Sequence, residues 1–192
     1  MSRVYKPAED SLLLLRHARA RVKGAVLDMG TGSGFIAVEL AAKAGVECIV
    51  AADLDPNAIK EARRRAEEAD VVNKIEFIQS DLFENLGECR FDWILFNPPY
   101  LPSEGIVDEP SWTGGVGGKE TLEKFLLEAS KHLHEEGAII IILSSQTGFG
   151  MGEVAQRFNV EILEEEKLFF ERLYCLILRP LSPSGGQDRI PR

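Results

Sequence analysis

Five short apolar runs alternate with helical stretches along this chain, and that alternation constrains its fold more than any other feature. AVLDM (25–29), ECIVAAD (47–53), KIEFIQS (74–80), FDWILF (91–96) and AIIIIL (138–143) each read as a buried strand. Between them the pattern predicts a helix over 35–44, a second that opens on Pro56 and runs to Ala69, and a third over 119–134. A leading helix over 8–22 carries Leu12, Leu13, Leu15 and Ala18. Strands joined through helices run parallel and bury both faces of their sheet. After a short helix with a glycine-rich entry (148–158), VEILEEEKL and LYCLILR follow with no helix between them, as an antiparallel pair. The expectation is an α/β fold with a seven-stranded, mostly parallel sheet, helices on both faces and an antiparallel C-terminal strand pair. Residues 1–180 form one domain in this reading. The Pro/Ser/Gly-rich tail over 181–192 is expected to be disordered.

The 192 residues are 45 % hydrophobic and 28 % charged, enough for a substantial core. The longest apolar run, AIIIIL, suits a strand and cannot span a bilayer, and MSRVYKPAED lacks the apolar core of a signal peptide. Cys48, Cys89 and Cys175 lie far apart with no paired metal-ligand spacing, so no metal site is expected. They read as reduced, core or near-core residues of a cytoplasmic protein. A net charge of −9 argues against nucleic acid as a partner. Arg63, Arg64 and Arg65 read as the solvated face of a helix.

LDMGTGSG (27–34) places glycines at 30, 32 and 34 between a strand and a helix, where backbone can approach a ligand closely. One reading is a tight turn; another is a nucleotide-type cofactor. The dinucleotide pattern G-x-G-x-x-G is not met, because the third glycine comes one residue early and Phe35 takes its place. Asp28 stands before the first glycine and suits a cationic or hydrogen-donating ligand better than a pyrophosphate. Asp53 ends the second strand, where a carboxylate can accept ribose hydroxyls. Asp81 ends the third and can accept from an adenine amino group. Asp55, before Pro56, reads as a helix cap. Carboxylates at three successive strand ends fit one ligand with an amino acid, a ribose and an adenine but no phosphate: S-adenosylmethionine.

The fourth strand stops at FNPPYLP (96–102). Asn97 precedes a proline and is held extended. Pro98 and Pro99 have no N–H, so this corner offers carbonyl acceptors without donors, and the Asn97 side-chain oxygen adds another. Such a corner suits a substrate NH2 group, with Tyr100 as a flat face beside it. The alternative is a proline turn with Tyr100 packed inward.

Taken together, DMGTGSG, AADLDP, SDLF and NPPY resemble the amino-methyltransferases of the Rossmann-like class I fold. VYKPAEDSLLLL (4–15) and SWTGGVGGKET (111–121) are similar to the short HemK-like release-factor glutamine methyltransferases of eukaryotes and archaea. The resemblance implies S-adenosylmethionine as cofactor and methyl transfer to the N5 amide nitrogen of the GGQ glutamine of a class 1 release factor. It implies that Asp28, Gly30, Thr31 and Gly32 line the methionine and ribose side, that Asp53 with Leu54 holds the ribose, and that Asp81 with Leu82 takes the adenine. Ser11, within PAEDS, would close over the cofactor; relatives often carry threonine there. Asn97, Pro98, Pro99 and Tyr100 would form the catalytic corner, with Asn97, Pro98 and Tyr100 on the glutamine amide and Asn97 also next to the cofactor. Trp112 would shape the substrate mouth, or else pin a long loop. Bacterial relatives carry an N-terminal helical domain that binds the release factor; this chain begins almost at the catalytic domain. Short members often work with a small zinc-binding activator subunit, which implies an available sheet edge such as KIEFIQS. Lys74 and Glu76 would otherwise protect that edge. The competing activities are adenine-N6 methylation of DNA or RNA and lysine methylation of a protein.

Overall fold

The structure, a computed structural model, describes residues 9–99, 119–147, 149–169 and 171–181. Helix α1 (Glu9–Arg21) leads into β1 (Gly24–Met29), α2 (Phe35–Ala41), β2 (Val46–Asp53), α3 (Pro56–Glu68), β3 (Ile75–Gln79) and β4 (Phe91–Phe96). Then come α4 (Lys119–Glu128), β5 (Leu133–Ser144), α5 (Met151–Ala155), β6 (Phe158–Lys167) and β7 (Arg172–Pro180). The strands form one seven-stranded sheet in the order β3-β2-β1-β4-β5-β7-β6. β1 through β5 pair in parallel, and β7 runs antiparallel to both β5 and β6. This is the architecture expected from the alternation. Among the described residues, no helix is long and apolar enough to cross a membrane.

Period-two alternation on each strand divides the core into two layers. Val26, Ile49, Ala51, Leu95, Ile140 and Ile142 face α1 and α2, with Leu13, Leu14, Ala18, Ala37 and Leu40 packed against them. Leu27, Met29, Ile94, Phe96, Ile139 and Ile141 face the other way, towards Leu122, Phe125 and Leu126 of α4. Each fully buried leucine in these layers contributes on the order of 2 kcal/mol. Leu12 is not part of the stripe; it is 55 % exposed, and Leu14 takes the inward place.

Asp55 caps α3 as expected, accepting from the Asn57 N–H at 2.8 Å, with Pro56 in the first turn. Three expectations are corrected. The α4 helix ends at Glu128 and continues only as a 3-10 turn through Ala129–His132. β5 begins at Leu133, five residues before AIIIIL, although LHEEG has the polar, glycine-closed look of a turn. Gly137 permits this, because a Cβ there would lie 2.9 Å from the Phe91 carbonyl of the neighbouring strand. Cys48 and Cys89 are exposed; only Cys175 is buried. Cys48 enters β2 at the end remote from the loops, and Cys89 sits in the turn before β4.

The third glycine of the loop serves packing. Gly34 caps α2 with φ +73°, and a Cβ there would lie 2.7 Å from both Cα and Cβ of Ala62 on α3. Gly87 has a similar φ of +57° with nothing within 4 Å. Gly87→Ala should cost only the left-handed strain, about 1 kcal/mol, whereas Gly34→Ala should cost about 1–3 kcal/mol more by forcing α2 and α3 apart. Thermal or urea unfolding of the two variants checks this; equal losses would contradict the close helix contact.

Candidate functional site

Strand order fixes where the site lies. The chain leaves β1 towards β2 on one side and β4 towards β5 on the other, so the order reverses between β1 and β4. Open α/β sheets bind ligands in the crevice above such a point, at the strands' carboxyl ends. Met29 pairs with Phe96, which sets Gly30 beside Asn97 across that crevice. The glycine loop and the proline corner, separated by over sixty residues in sequence, are thus neighbours.

The loop is tied down by its own main chain. The Thr31 N–H donates to the Ala52 carbonyl at 3.0 Å, and the Gly34 N–H to the Thr31 carbonyl at 2.9 Å. The Gly32 N–H donates to Asp53 Oδ2 at 2.8 Å, while Asp53 Oδ1 accepts from the Asp55 N–H at 2.9 Å. Gly30 and Gly32 both have positive φ, +65° and +55°. A Cβ on Gly30 would meet the Phe96 ring at 3.6 Å, whereas on Gly32 it would find only the Gly30 carbonyl at 4.0 Å. Gly32 therefore presents bare backbone to open space above β1, the place a ligand would take.

Asp28 lies under this loop, 2 % exposed, and accepts from the Thr31 hydroxyl at 2.6 Å. Burial pushes its carboxyl up to about 7; the Thr31 hydroxyl and the Ala37 amide pull it down, and the Asp53 charge raises it. Burial likewise raises Asp53, against hydrogen bonds from the amides of Asp55 and Gly32. Two carboxyls held this way favour a ligand that brings positive charge and hydroxyl donors.

The residues expected on the adenine side, Asp81 and Leu82, occupy a turn after β3. Asp81 is exposed, and Leu82 adopts φ +48°, a left-handed conformation that costs a branched side chain about 1 kcal/mol. Ser80 and Asn85 hold the turn, and sequence reasoning missed both. The Ser80 hydroxyl donates to the Leu82 carbonyl at 2.8 Å and accepts from the Asn85 N–H at 3.0 Å. The Asn85 amide donates to the Gln79 carbonyl at 2.9 Å. The available signal was the serine that follows the apolar stretch Phe77-Ile78, with an asparagine five residues on. Leu54 is 46 % exposed just beyond Asp53. Ser11 is buried in the first turn of α1.

At the end of β4, Pro98 is buried and Asn97 and Pro99 are half-buried. Asn97 Oδ1 is shut away from solvent and has no hydrogen-bond partner among the described residues. Tyr100 and Trp112 lie outside the described residues.

These residues fit S-adenosylmethionine. The acidic pair of Asp28 and Asp53 suits its cationic methionine and its ribose hydroxyls, and the bare Gly32 backbone admits it. A consequence for the cofactor-free protein follows from Asp28. Its carboxyl binds a proton more tightly when folded than when unfolded. Its stabilising contribution is therefore complete below about pH 4 and is lost as pH rises to about 7. Asp28→Asn should gain stability relative to the parent across that window, by roughly 2–4 kcal/mol at its upper end. Melting curves between pH 4 and 8 check this; a pH-independent difference would contradict the burial of a titrating carboxyl.

The model of the methyltransferase small domain matches residues 6–169. The chain is 40 % identical over 183 residues to a protein of Methanocaldococcus jannaschii provisionally named a protein N5-glutamine methyltransferase, covering 90 % of each. It is 33 % identical to the release factor glutamine methyltransferase of Geobacter sulfurreducens, over 77 % of this chain and 54 % of that one. It is 32 % identical to the tRNA1(Val) (adenine(37)-N6)-methyltransferase of Actinobacillus pleuropneumoniae, over 70 % of this chain and 57 % of that one. The chain thus spans nearly all of the first relative and little more than half of the other two. Its fold is shared with a methyltransferase of Pyrococcus furiosus at TM-score 0.66 and 19 % identity, over 88 % of this chain and 83 % of that one. With its glycine loop and proline corner meeting over the β1–β4 crevice, this chain belongs to the methyltransferase small-domain family and is an S-adenosylmethionine-dependent methyltransferase.

Proposed function

We propose that this protein methylates the N5 side-chain amide of a glutamine, that of the GGQ motif in a class 1 translation release factor. The observation that carries the proposal is the buried Oδ1 of Asn97, which has no hydrogen-bond partner among the described residues. An orphaned buried acceptor costs about 1–3 kcal/mol, which a ligand with hydrogens to give would recover. Pro98 and Pro99 add no N–H that could compete, and the Pro98 carbonyl can take the second hydrogen of the same NH2 group. The names of the M. jannaschii and G. sulfurreducens relatives point to the same amide.

Bound S-adenosylmethionine supplies a methyl group on a sulfonium, open to displacement. The protein's own part is to hold the acceptor nitrogen in line. Asn97 and Pro98 fix both amide hydrogens, and acceptors drawn onto them favour the partly pyramidal nitrogen that attacks. The new N–C bond forms as the S–C bond breaks, and the amide gives up one proton to solvent. Rigid positioning of this kind can supply several kcal/mol of the barrier reduction.

A second reading rests on the A. pleuropneumoniae relative, because the amino group of adenine presents the same two hydrogens. The arginines of α3 give it little help. Arg63 lies over the Phe77 ring at 4.7 Å, and Arg64 is clamped by Glu61 and Glu68. A lysine substrate would need a base to remove its proton first, which the proline corner does not provide. We further propose that a small zinc-binding activator adds a strand at β3, which forms one edge of the sheet.

The chain's own tail carries Gly185-Gly186-Gln187, a three-residue match that chance readily supplies; the alternative is that Gln187 enters an active site as a pseudosubstrate. β7 starts beside the end of β5 and runs away from the site, so the tail departs from the opposite end of the sheet. Seven extended residues reach at most about 25 Å, which makes entry into another molecule's site easier than into its own.

Incubation with labelled cofactor and either a release factor or tRNA, followed by mass spectrometry, tests the assignment. The methyl group should appear on the GGQ glutamine and not on its Gln→Asn variant. Asn97→Ala should keep cofactor affinity and lose at least about 100-fold in transfer. Label on adenine alone, or near-normal transfer by Asn97→Ala, would overturn the proposal.

A further inference from the structure

Beneath the site, four rings stand in one stack. Phe96, the residue before Asn97, lies against Phe125 of α4 with ring centroids 4.3 Å apart. Phe125 stacks on Phe83 at 5.4 Å, and Phe83, the residue after Leu82, stacks on His132 at 4.6 Å. The stack ends on main chain, with His132 Nδ1 2.9 Å from the Cys89 carbonyl. Phe125 is fully buried, Phe96 is 2 % exposed and Phe83 7 %. The rings lie below the site floor, yet the stack joins its two halves: the acceptor corner through Phe96 and the adenine-side turn through Phe83.

That junction has mechanical content. In the sheet, β3 is separated from β4 by β2 and β1, so ladder hydrogen bonds hold the turn only at its root. There the Ser80 N–H donates to the Asp53 carbonyl at 2.9 Å. Beyond Ser80, the separation between turn and corner is set by packing, and Phe125 is the ring in contact with both sides. We infer that Phe125 is a positioning residue, which fixes the adenine-side turn and the acceptor corner relative to each other without touching either ligand. Flat rings in offset contact admit few alternative arrangements, whereas an aliphatic side chain of similar bulk fills the space and leaves the spacing loose. An in-line displacement is sensitive to that spacing, since a shift of about 1 Å can cost about 100-fold in rate. The acceptor half of this inference rests on the role proposed for Asn97; the cofactor half does not.

The test compares Phe125→Leu with Leu122→Val, a truncation of another fully buried residue on the same helix and outside the stack. Calorimetry with S-adenosylhomocysteine reads the cofactor half. The NMR signals of the Asn97 side-chain amide read the acceptor half. Neither needs an acceptor substrate, so a wrong substrate assignment leaves the result intact. Melting curves set a temperature at which every variant is folded, and Phe125→Met replaces Phe125→Leu if the latter does not fold. Phe125→Leu should bind roughly tenfold more weakly and shift the Asn97 signals, with Leu122→Val changing neither. Parent-like affinity, unmoved Asn97 signals, or equal changes in both variants would overturn the assignment.

Discussion

The pairing of β1 with β4 is the constraint on which the site depends. These two strands come from distant parts of the chain, and their neighbours depart in opposite directions. Their register sets Gly30 next to Asn97. A slip of one residue would turn Asp28 and Leu95 to the opposite faces, expose the buried rows on both sides and separate the two motifs. Leu27, Ile94 and Leu95 are fully buried along this pair, so the register is held by the same apolar contacts that stabilise the domain. Core packing and site geometry are one requirement here.

Around that pair, polar groups are held unevenly. Asp53 is fully engaged, one oxygen on the Gly32 amide and the other on the Asp55 amide, and so it shapes the loop before any ligand arrives. Asp28 is buried, is held by the Thr31 hydroxyl and the Ala37 amide, and carries a strongly raised pKa. Asn97 Oδ1 is buried and has no partner among the described residues. Among the described residues, the gradient from satisfied to orphaned runs from Asp53 to Asn97. Under the proposed function, the Asn97 acceptor, beside two residues without N–H groups, receives donors from the substrate.

Much of this was legible in the sequence because it depends on local rules. Alternating apolar runs disclosed all seven strands, and Asp55-Pro56 disclosed the start of α3. The strand-end carboxylates and the proline corner could be proposed as a site from the sequence, since strand ends and donor-free backbone are both properties of short stretches. What escaped notice depends on contacts between distant residues. The role of Gly34 is set by Ala62 on another helix. The early start of β5 is set by the main chain of Phe91, which passes close to Gly137. The aromatic stack draws its members from four separate segments, and no spacing in the sequence announces it. Cys48 lies near the start of β2 and Cys89 in the turn before β4, and residue type alone does not reveal their exposure.

The central claim is that Asn97 Oδ1 waits for the two-hydrogen nitrogen of a glutamine amide. A crystal structure of the protein with S-adenosylhomocysteine and a glutamine-containing acceptor peptide tests it most directly. The account predicts the amide nitrogen within about 3.2 Å of Asn97 Oδ1, with its second hydrogen on the Pro98 carbonyl and its lone pair towards the cofactor sulfur. An Asn97 oxygen satisfied by another protein group, with the peptide amide held elsewhere, would contradict it.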